Sequence, residues 1–223
     1  MTRREYSQPC SLACALDSIG ERWALLIVRE LLLGPLRFSE LARAVGGAPT
    51  DVLTKRLRDL EGDGIVGRRE LAPPATAVVY ELTEFGRGLE LPMLELARWG
   101  IGLQSIEDVV GLEPSSLANG LRVILRPPAD FTLTLALHSG GQSYVLRFKD
   151  GQITARRGTT DEADVTMSGA PIEVIAALVA PDLFALGVEI EGERSVIDAL
   201  RAMVDIPERL REEASASLAP AIV

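Results

Sequence analysis

The sequence predicts two domains of different class: a mainly α-helical first half carrying one β-hairpin, and an α+β second half. Three observations predict this. From residue 10 to 64 apolar residues recur at 3–4 residue spacing, the period of helices buried along one stripe. Beyond residue 118 the period becomes two, as in strands buried on one face, and helical patterns return only near the end. Between these, residues 107–118 mix polarity with Gly111, Pro114, Ser115 and Ser116, the composition of a linker. The expected domains are therefore 1–106 and 119–223, joined by 107–118. A chain of 223 residues, 47% hydrophobic and 25% charged, has enough apolar material for both cores.

In the first half, Trp23, Leu26, Ile27 and Leu31 share one helical face, and Gly34-Pro35 ends that helix. Phe38, Leu41, Ala42 and Val45 mark a short second helix, broken by Gly46-Gly47. A third runs from about Pro49 to Glu61, with Leu53, Leu57 and Leu60 inside. Ile65–Leu71 and Val78–Leu82 read as the strands of a hairpin, with Pro73-Pro74 at its tip, where the missing N–H groups do no harm. Thr83-Glu84 looks like a helix start. Phe85, Leu89, Met93, Leu96 and Leu103 mark a long helix that Pro92 is expected to kink.

In the second half, Phe131, Leu133, Leu135 and Leu137 alternate with Thr132, Thr134, Ala136 and His138. Gly140-Gly141 turns the chain, and Tyr144, Leu146 and Phe148 alternate with Val145, Arg147 and Lys149. Asp150-Gly151 is a strong hairpin signal, and Gln152–Arg157 returns. A strand is expected at Asp164–Ser168, helices at Pro171–Val179 and Arg194–Met203, and a short strand at Val188–Glu191.

Composition excludes several functions. The net charge of −9 argues against a uniformly basic nucleic-acid binder and leaves room for a local basic face. Residues 1–110 carry 13 basic and 16 acidic side chains, and residues 111–223 carry 10 and 16, so the second half holds most of the excess acid. Two cysteines, Cys10 and Cys14, with one histidine, His138, supply neither a disulfide framework nor a zinc site. No metal or cofactor is expected. No run approaches a membrane span and the N-terminus lacks a signal-peptide core, so a cytoplasmic protein is expected. His138 lies on the polar side of its strand and reads as a surface residue. Asp161, Glu162 and Asp164 read as a solvated loop. No nucleophile–base or acid–base arrangement is visible, so an enzyme is not expected.

Helix, helix, helix, hairpin, helix is the order of a winged helix-turn-helix, in which one helix is held so that its outer face can lie in a DNA major groove. With Leu53 inward, Asp51, Thr54, Lys55 and Arg58 of the third helix point away from the core. Lys55 and Arg58 are long enough to reach phosphates or guanine edges, Asp51 can accept from cytosine N4, and Thr50 can cap the helix or touch a phosphate. Such a face is also what an ordinary solvated helix looks like; the order of elements around it favours the groove.

Residues 10–100 resemble the HxlR-type winged helix regulators. The resemblance rests on Cys10, Leu12 and Leu16-Asp17; on Gly20-Glu21-Arg22-Trp23; and on Gly34-Pro35-Leu36-Arg37-Phe38-Ser39-Glu40-Leu41. It continues through the recognition segment Val52–Glu61, then Asp63-Gly64-Ile65-Val66, Tyr80–Arg87 and Ala97-Arg98-Trp99-Gly100. It implies a homodimeric transcriptional regulator that binds double-stranded DNA and pairs through the first helix and the long helix around residues 84–103. DNA-binding residues are expected at Arg37, Ser39, Thr50, Asp51, Thr54, Lys55, Arg58, Arg68 and Arg69. The chain departs from the family where Pro49 replaces a Ser or Thr cap, where the hairpin tip carries no charge, and where Asp51 puts an acid on the groove side. Some members sense oxidants through a cysteine that corresponds to Cys10, while Cys14, one turn on, is expected to pack inward.

The second half resembles, more weakly, the sterol-carrier-protein-type domain. The matching residues are Leu146–Gly151, Ala163–Gly169 and Val188–Gly192 followed by a helix, within residues 119–205. That resemblance implies an apolar cavity lined by Phe131, Leu133, Leu135, Leu137, Tyr144, Leu146, Phe148, Ile175, Leu178 and Phe184, with Val174 and Leu183 helping to cover the sheet. The combined expectation is a repressor modulated by a hydrophobic small molecule. The competing one is a hydrophobic-ligand carrier whose first half contacts proteins.

Overall fold

The computed structural model describes residues 6–72, 77–109, 111–180 and 187–217. The chain divides into two compact units, Met1–Met93 and Leu94–Val223. The division falls inside a helix rather than at residues 107–118.

The first unit opens with α1 (Ser11–Ile19) and α2 (Ala24–Leu32), followed by the short strand β1 (Leu36–Arg37), α3 (Phe38–Val45) and α4 (Thr50–Gly62). The hairpin β2 (Val66–Glu70) and β3 (Val78–Leu82) follows, then α5 (Glu84–Arg87) and α6 (Glu90–Ile101). β1 completes an antiparallel three-stranded sheet in the order β1-β3-β2. Ile27, Leu31, Leu41, Leu53, Leu57 and Leu60 are almost wholly buried in one core that joins α2, α3 and α4. Each such leucine contributes about 1.5–3 kcal/mol by leaving water. Leu26, by contrast, is 37% exposed and faces away from that stripe.

Two details fix the turn before α4. Gly46 and Gly47 both take positive φ, 62° and 69°, which lets the chain reverse tightly between α3 and α4. Trp23, at the N-terminus of α2 with φ 79°, lies against Gly47, and Arg22 stacks on its ring at 5.0 Å. Pro49 precedes α4 and no side chain caps the helix. The expectation that Thr50 takes over the cap is therefore corrected. Thr50 is the first helical residue, and its carbonyl accepts from Thr54 Oγ1 at 2.7 Å.

The expected kink at Pro92 is also corrected. The break falls earlier, between α5 and α6, and Pro92 sits in the first turn of α6, where its missing N–H had no helical partner to lose. Thr83 caps α5 by accepting from Gly86 N–H at 3.0 Å and donates to the Gly64 carbonyl at 2.6 Å. A Cβ on Gly86 would lie 2.0 Å from the Ile65 carbonyl oxygen, so only glycine fits there.

The second unit contains a 3₁₀ turn (Ile106–Val109), α7 (Pro114–Ile124), β4 (Leu133–Ser139), β5 (Gln142–Lys149), β6 (Gln152–Arg157), β7 (Val165–Ser168) and α8 (Pro171–Val179). It ends with β8 (Glu189–Gly192), α9 (Arg194–Ala202) and α10 (Glu208–Ser217). The sheet order is β6-β5-β4-β7-β8, antiparallel except for the β4–β7 pair. Asp150 and Gly151, with φ 52° and 74°, make the tight β5–β6 hairpin that the dipeptide predicts. Residues 114–118, expected as linker, instead begin α7, where Leu117 and Ala118 are buried.

Register puts Leu133, Leu135 and Leu137 opposite Phe148, Leu146 and Tyr144 on one face of the sheet. All six are buried, as are Leu178 and Ile175 of α8. Phe131 precedes β4 and meets Phe148 edge-to-face at 5.7 Å. Leu183 and Phe184 lie outside the described residues. His138 is half-buried on the opposite face, its Nδ1 2.8 Å from Ser143 Oγ. Asp164 accepts from Thr134 N–H at 2.6 Å and Glu162 pairs with Arg147 at 3.6 Å, so these acids serve the loop. Among the described residues no group of three or more ligating side chains could hold a metal, and no helix is long and apolar enough to cross a membrane.

Candidate nucleic-acid interface

Leu53, Leu57 and Leu60 bury the inner face of α4, so helical geometry turns Asp51, Thr54 and Arg58 outward, and all three are exposed. Thr50, Arg37 and Ser39 are exposed as well, the last two where α3 begins. The structure thus presents the expected residues of α3 and α4 at the surface, but it does not leave all of their charges free.

Lys55 is half-buried and its Nζ pairs with Asp59 at 2.9 Å. Arg56, not singled out from sequence, bridges the same Asp59 at 2.8 Å and Glu21, ahead of α2, at 2.8 Å. On the hairpin, Arg68 pairs with Glu61 at 2.5 Å and lies 5.2 Å from the centre of the Tyr80 ring. Arg69 reaches both carboxylate oxygens of Glu81 at 3.0 Å. Exposed pairs of this kind are worth only about 0.2–1 kcal/mol and can exchange partners, yet each carboxylate still cancels a charge beside the groove face. Arg37, Arg43 and Arg58 make no ion pair among the described residues. The interface is therefore close to neutral, with isolated donors rather than a basic patch. Helical spacing does signal the Lys55–Asp59 and Arg56–Asp59 pairs. Arg56–Glu21 and Arg69–Glu81 depend on tertiary packing and strand register.

A groove of about 700 Å³ lies beside α1, lined by Cys10, Cys14, Ile19, Ile65, Phe85 and Leu89 among others. Cys14 is exposed and faces this groove, correcting the expectation that it packs inward. Cys10 is exposed at the start of α1, where the backbone N–H groups of Ala13 and Leu12 hold its thiol below the ordinary cysteine value.

Residues 18–107 match the model of the HxlR-like helix-turn-helix family. The chain is 38% identical over 112 residues to the HTH-type transcriptional regulator YybR of Bacillus subtilis, spanning 50% of this chain and 85% of that one. The chain belongs to the HxlR-like helix-turn-helix family. The regulator YtcD of the same organism is 36% identical over 100 residues, covering 45% of this chain and 78% of YtcD. The solved structure of the redox regulator HypR in its oxidized form is 38% identical, with 41% of this chain and 94% of that one covered and a TM-score of 0.38. As an HxlR-like protein, the chain is a DNA-binding transcriptional regulator.

Proposed function

We propose that this HxlR-like regulator acts as a homodimeric repressor that sets α4 of each protomer into successive major grooves of a pseudo-palindromic operator. The observation that carries this reading is the outer face of α4, where Asp51, Thr54 and Arg58 stand clear of a core that holds the helix rigid through three buried leucines. Two such helices about 34–36 Å apart read half-sites one helical turn apart. Pairing through α1 and α6 is supported by the apolar side chains each leaves in water: Leu12 and Leu16 on α1, and Leu91, Leu96 and Trp99 on α6.

In this reading a hydrophobic small molecule binds the C-terminal α+β domain among the apolar side chains of β4, β5 and α8, and changes operator affinity by favouring one dimer geometry. The resemblance to sterol-carrier-type domains and the apolar sheet face support it. Cys10 is a second input: an exposed thiol of lowered pKa bordering a groove is suited to react with oxidants. The test is DNA selection with the full chain, with and without hydrophobic metabolites, followed by binding to the recovered operator. Loss of binding on adding one metabolite supports the regulatory scheme. Recovery of no preferred sequence rejects the DNA reading and favours a ligand carrier that contacts proteins. For Cys10, oxidant-induced release that persists in Cys10→Ser removes that input.

A further inference from the structure

Hydrogen bonding sorts the polar residues of α4 into those committed within the protein and those left to read a ligand. Lys55 and Arg56 are held by Asp59 and Glu21 on the flank of the helix. Thr54 is exposed and donates its hydroxyl proton to the Thr50 carbonyl at 2.7 Å, which leaves its oxygen lone pairs free to accept. Asp51 is exposed, has no partner among the described residues, and offers acceptors alone. Arg58 is exposed, likewise unpartnered among the described residues, and offers donors alone. Positions 51, 54 and 58 are spaced i, i+3 and i+7, so they form one stripe. The stripe rises about 10.5 Å, or about three base-pair steps.

We propose that Asp51 is the specificity-determining residue of each half-site, selecting cytosine and excluding guanine at one position, while Arg58 selects guanine about three base pairs away. This rests on the reading of α4 as the helix that enters the groove. In the major groove cytosine presents an N4 amino donor, which a carboxylate can accept. Guanine presents N7 and O6, two acceptors, so a carboxylate there is desolvated, repelled and unpaired. Adenine places its N7 acceptor beside its amino group, which makes it a poorer partner for a carboxylate than cytosine. Asp51 thus works largely by rejection, as a charge that guanine and thymine leave unsatisfied and adenine satisfies less well than cytosine. Thr54, between them, adds an acceptor and a methyl contact suited to an amino group or a thymine methyl.

The test is selection and sequencing of bound duplexes by the full chain and by Asp51→Asn, Asp51→Ala and Arg58→Ala. The unaltered chain is expected to enrich cytosine and guanine about three positions apart in each half-site. Asparagine, which donates and accepts, pairs bidentately with adenine. Asp51→Asn is therefore expected to switch the cytosine position to adenine and keep the rest of the motif. Asp51→Ala should erase a preference of roughly 5- to 150-fold at that position alone, and Arg58→Ala should erase the guanine. A merely helix-stabilising aspartate near the N-terminus would leave the motif unchanged in all Asp51 variants, and that result overturns the proposal. Failure of the unaltered chain to enrich any sequence is a different outcome, which removes the DNA reading and this inference with it.

Discussion

The paired cations around α4 make a quantitative prediction about salt. Lys55, Arg56, Arg68 and Arg69 each hold a carboxylate within 3.0 Å, whereas Arg37, Arg43 and Arg58 hold none among the described residues. If the paired four stay neutralised, each protomer brings at most about three unpaired cations to the DNA, Arg58 at a base and the other two at phosphates, and a dimer about six, so log K against log salt falls with slope about −5. Affinity for the operator should then drop about 1,000-fold between 50 and 200 mM salt. If all seven cations engaged phosphate, the slope would approach about −13 and the same change would cost more than about 10⁷-fold. Fluorescence anisotropy on a labelled operator duplex over that range separates the two. A second arm tests the cause. Glu81→Gln frees Arg69 in both protomers and should steepen the slope by about 2 while tightening binding at low salt. A slope near −13 for the unaltered chain, or no steepening in Glu81→Gln, refutes the reasoning.

Lys55→Ala should weaken operator binding less than Arg58→Ala, because Lys55 is already spent on Asp59; a titration showing the reverse order would mean that the Asp59 pair breaks on binding. Gly86→Ala should destabilise the first unit by about 1–3 kcal/mol or prevent its folding, since its Cβ meets the Ile65 carbonyl oxygen, and a melting curve matching the unaltered chain would contradict that packing. Leu57→Ala, at a site 1% exposed in the same core, should cost about 2–5 kcal/mol in urea unfolding. Alkylation of Cys10 should titrate at lower pH in the folded chain than in urea, because Ala13 and Leu12 N–H groups favour the thiolate only while α1 is formed; equal profiles would remove that cause.

What the sequence makes legible follows its periodicity. Helices α2, α3 and α4 each bury one stripe, and the β5–β6 turn is written in Asp150-Gly151. Helix α7 escapes the same reasoning because it is buried on nearly every side. Ser115, Asn119 and Arg122 lie inside beside Leu117 and Leu121, so polarity no longer marks the outer face. Asn119 donates to the Ser115 carbonyl and Arg122 to the Ile153 carbonyl, which lets polar side chains sit inside, while Pro114, Ser115 and Ser116, read as linker, form the first turn of the helix. On α4 the sequence places Asp51, Thr54 and Arg58 away from the core, and the structure exposes all three, whereas Lys55, expected with them, is half-buried against Asp59. The sequence does not reveal that Arg69 finds Glu81, because that pair forms only when β2 and β3 settle in register, with Arg69 opposite Val79 and Glu81 opposite Gly67. The difference leaves a face of mixed cations and hydrogen-bonding groups nearly neutral.

In the proposed complex the outer face of α4 occupies the major groove. Methylation interference at guanine N7, an atom in that groove, tests it most directly on the selected operator. Interference is expected at guanines in two major-groove segments whose centres lie about 10–10.5 base pairs apart, and is lost at the paired positions in Arg58→Ala. Tight, sequence-preferring binding that tolerates methylation at every guanine N7 of a guanine-containing operator would contradict it.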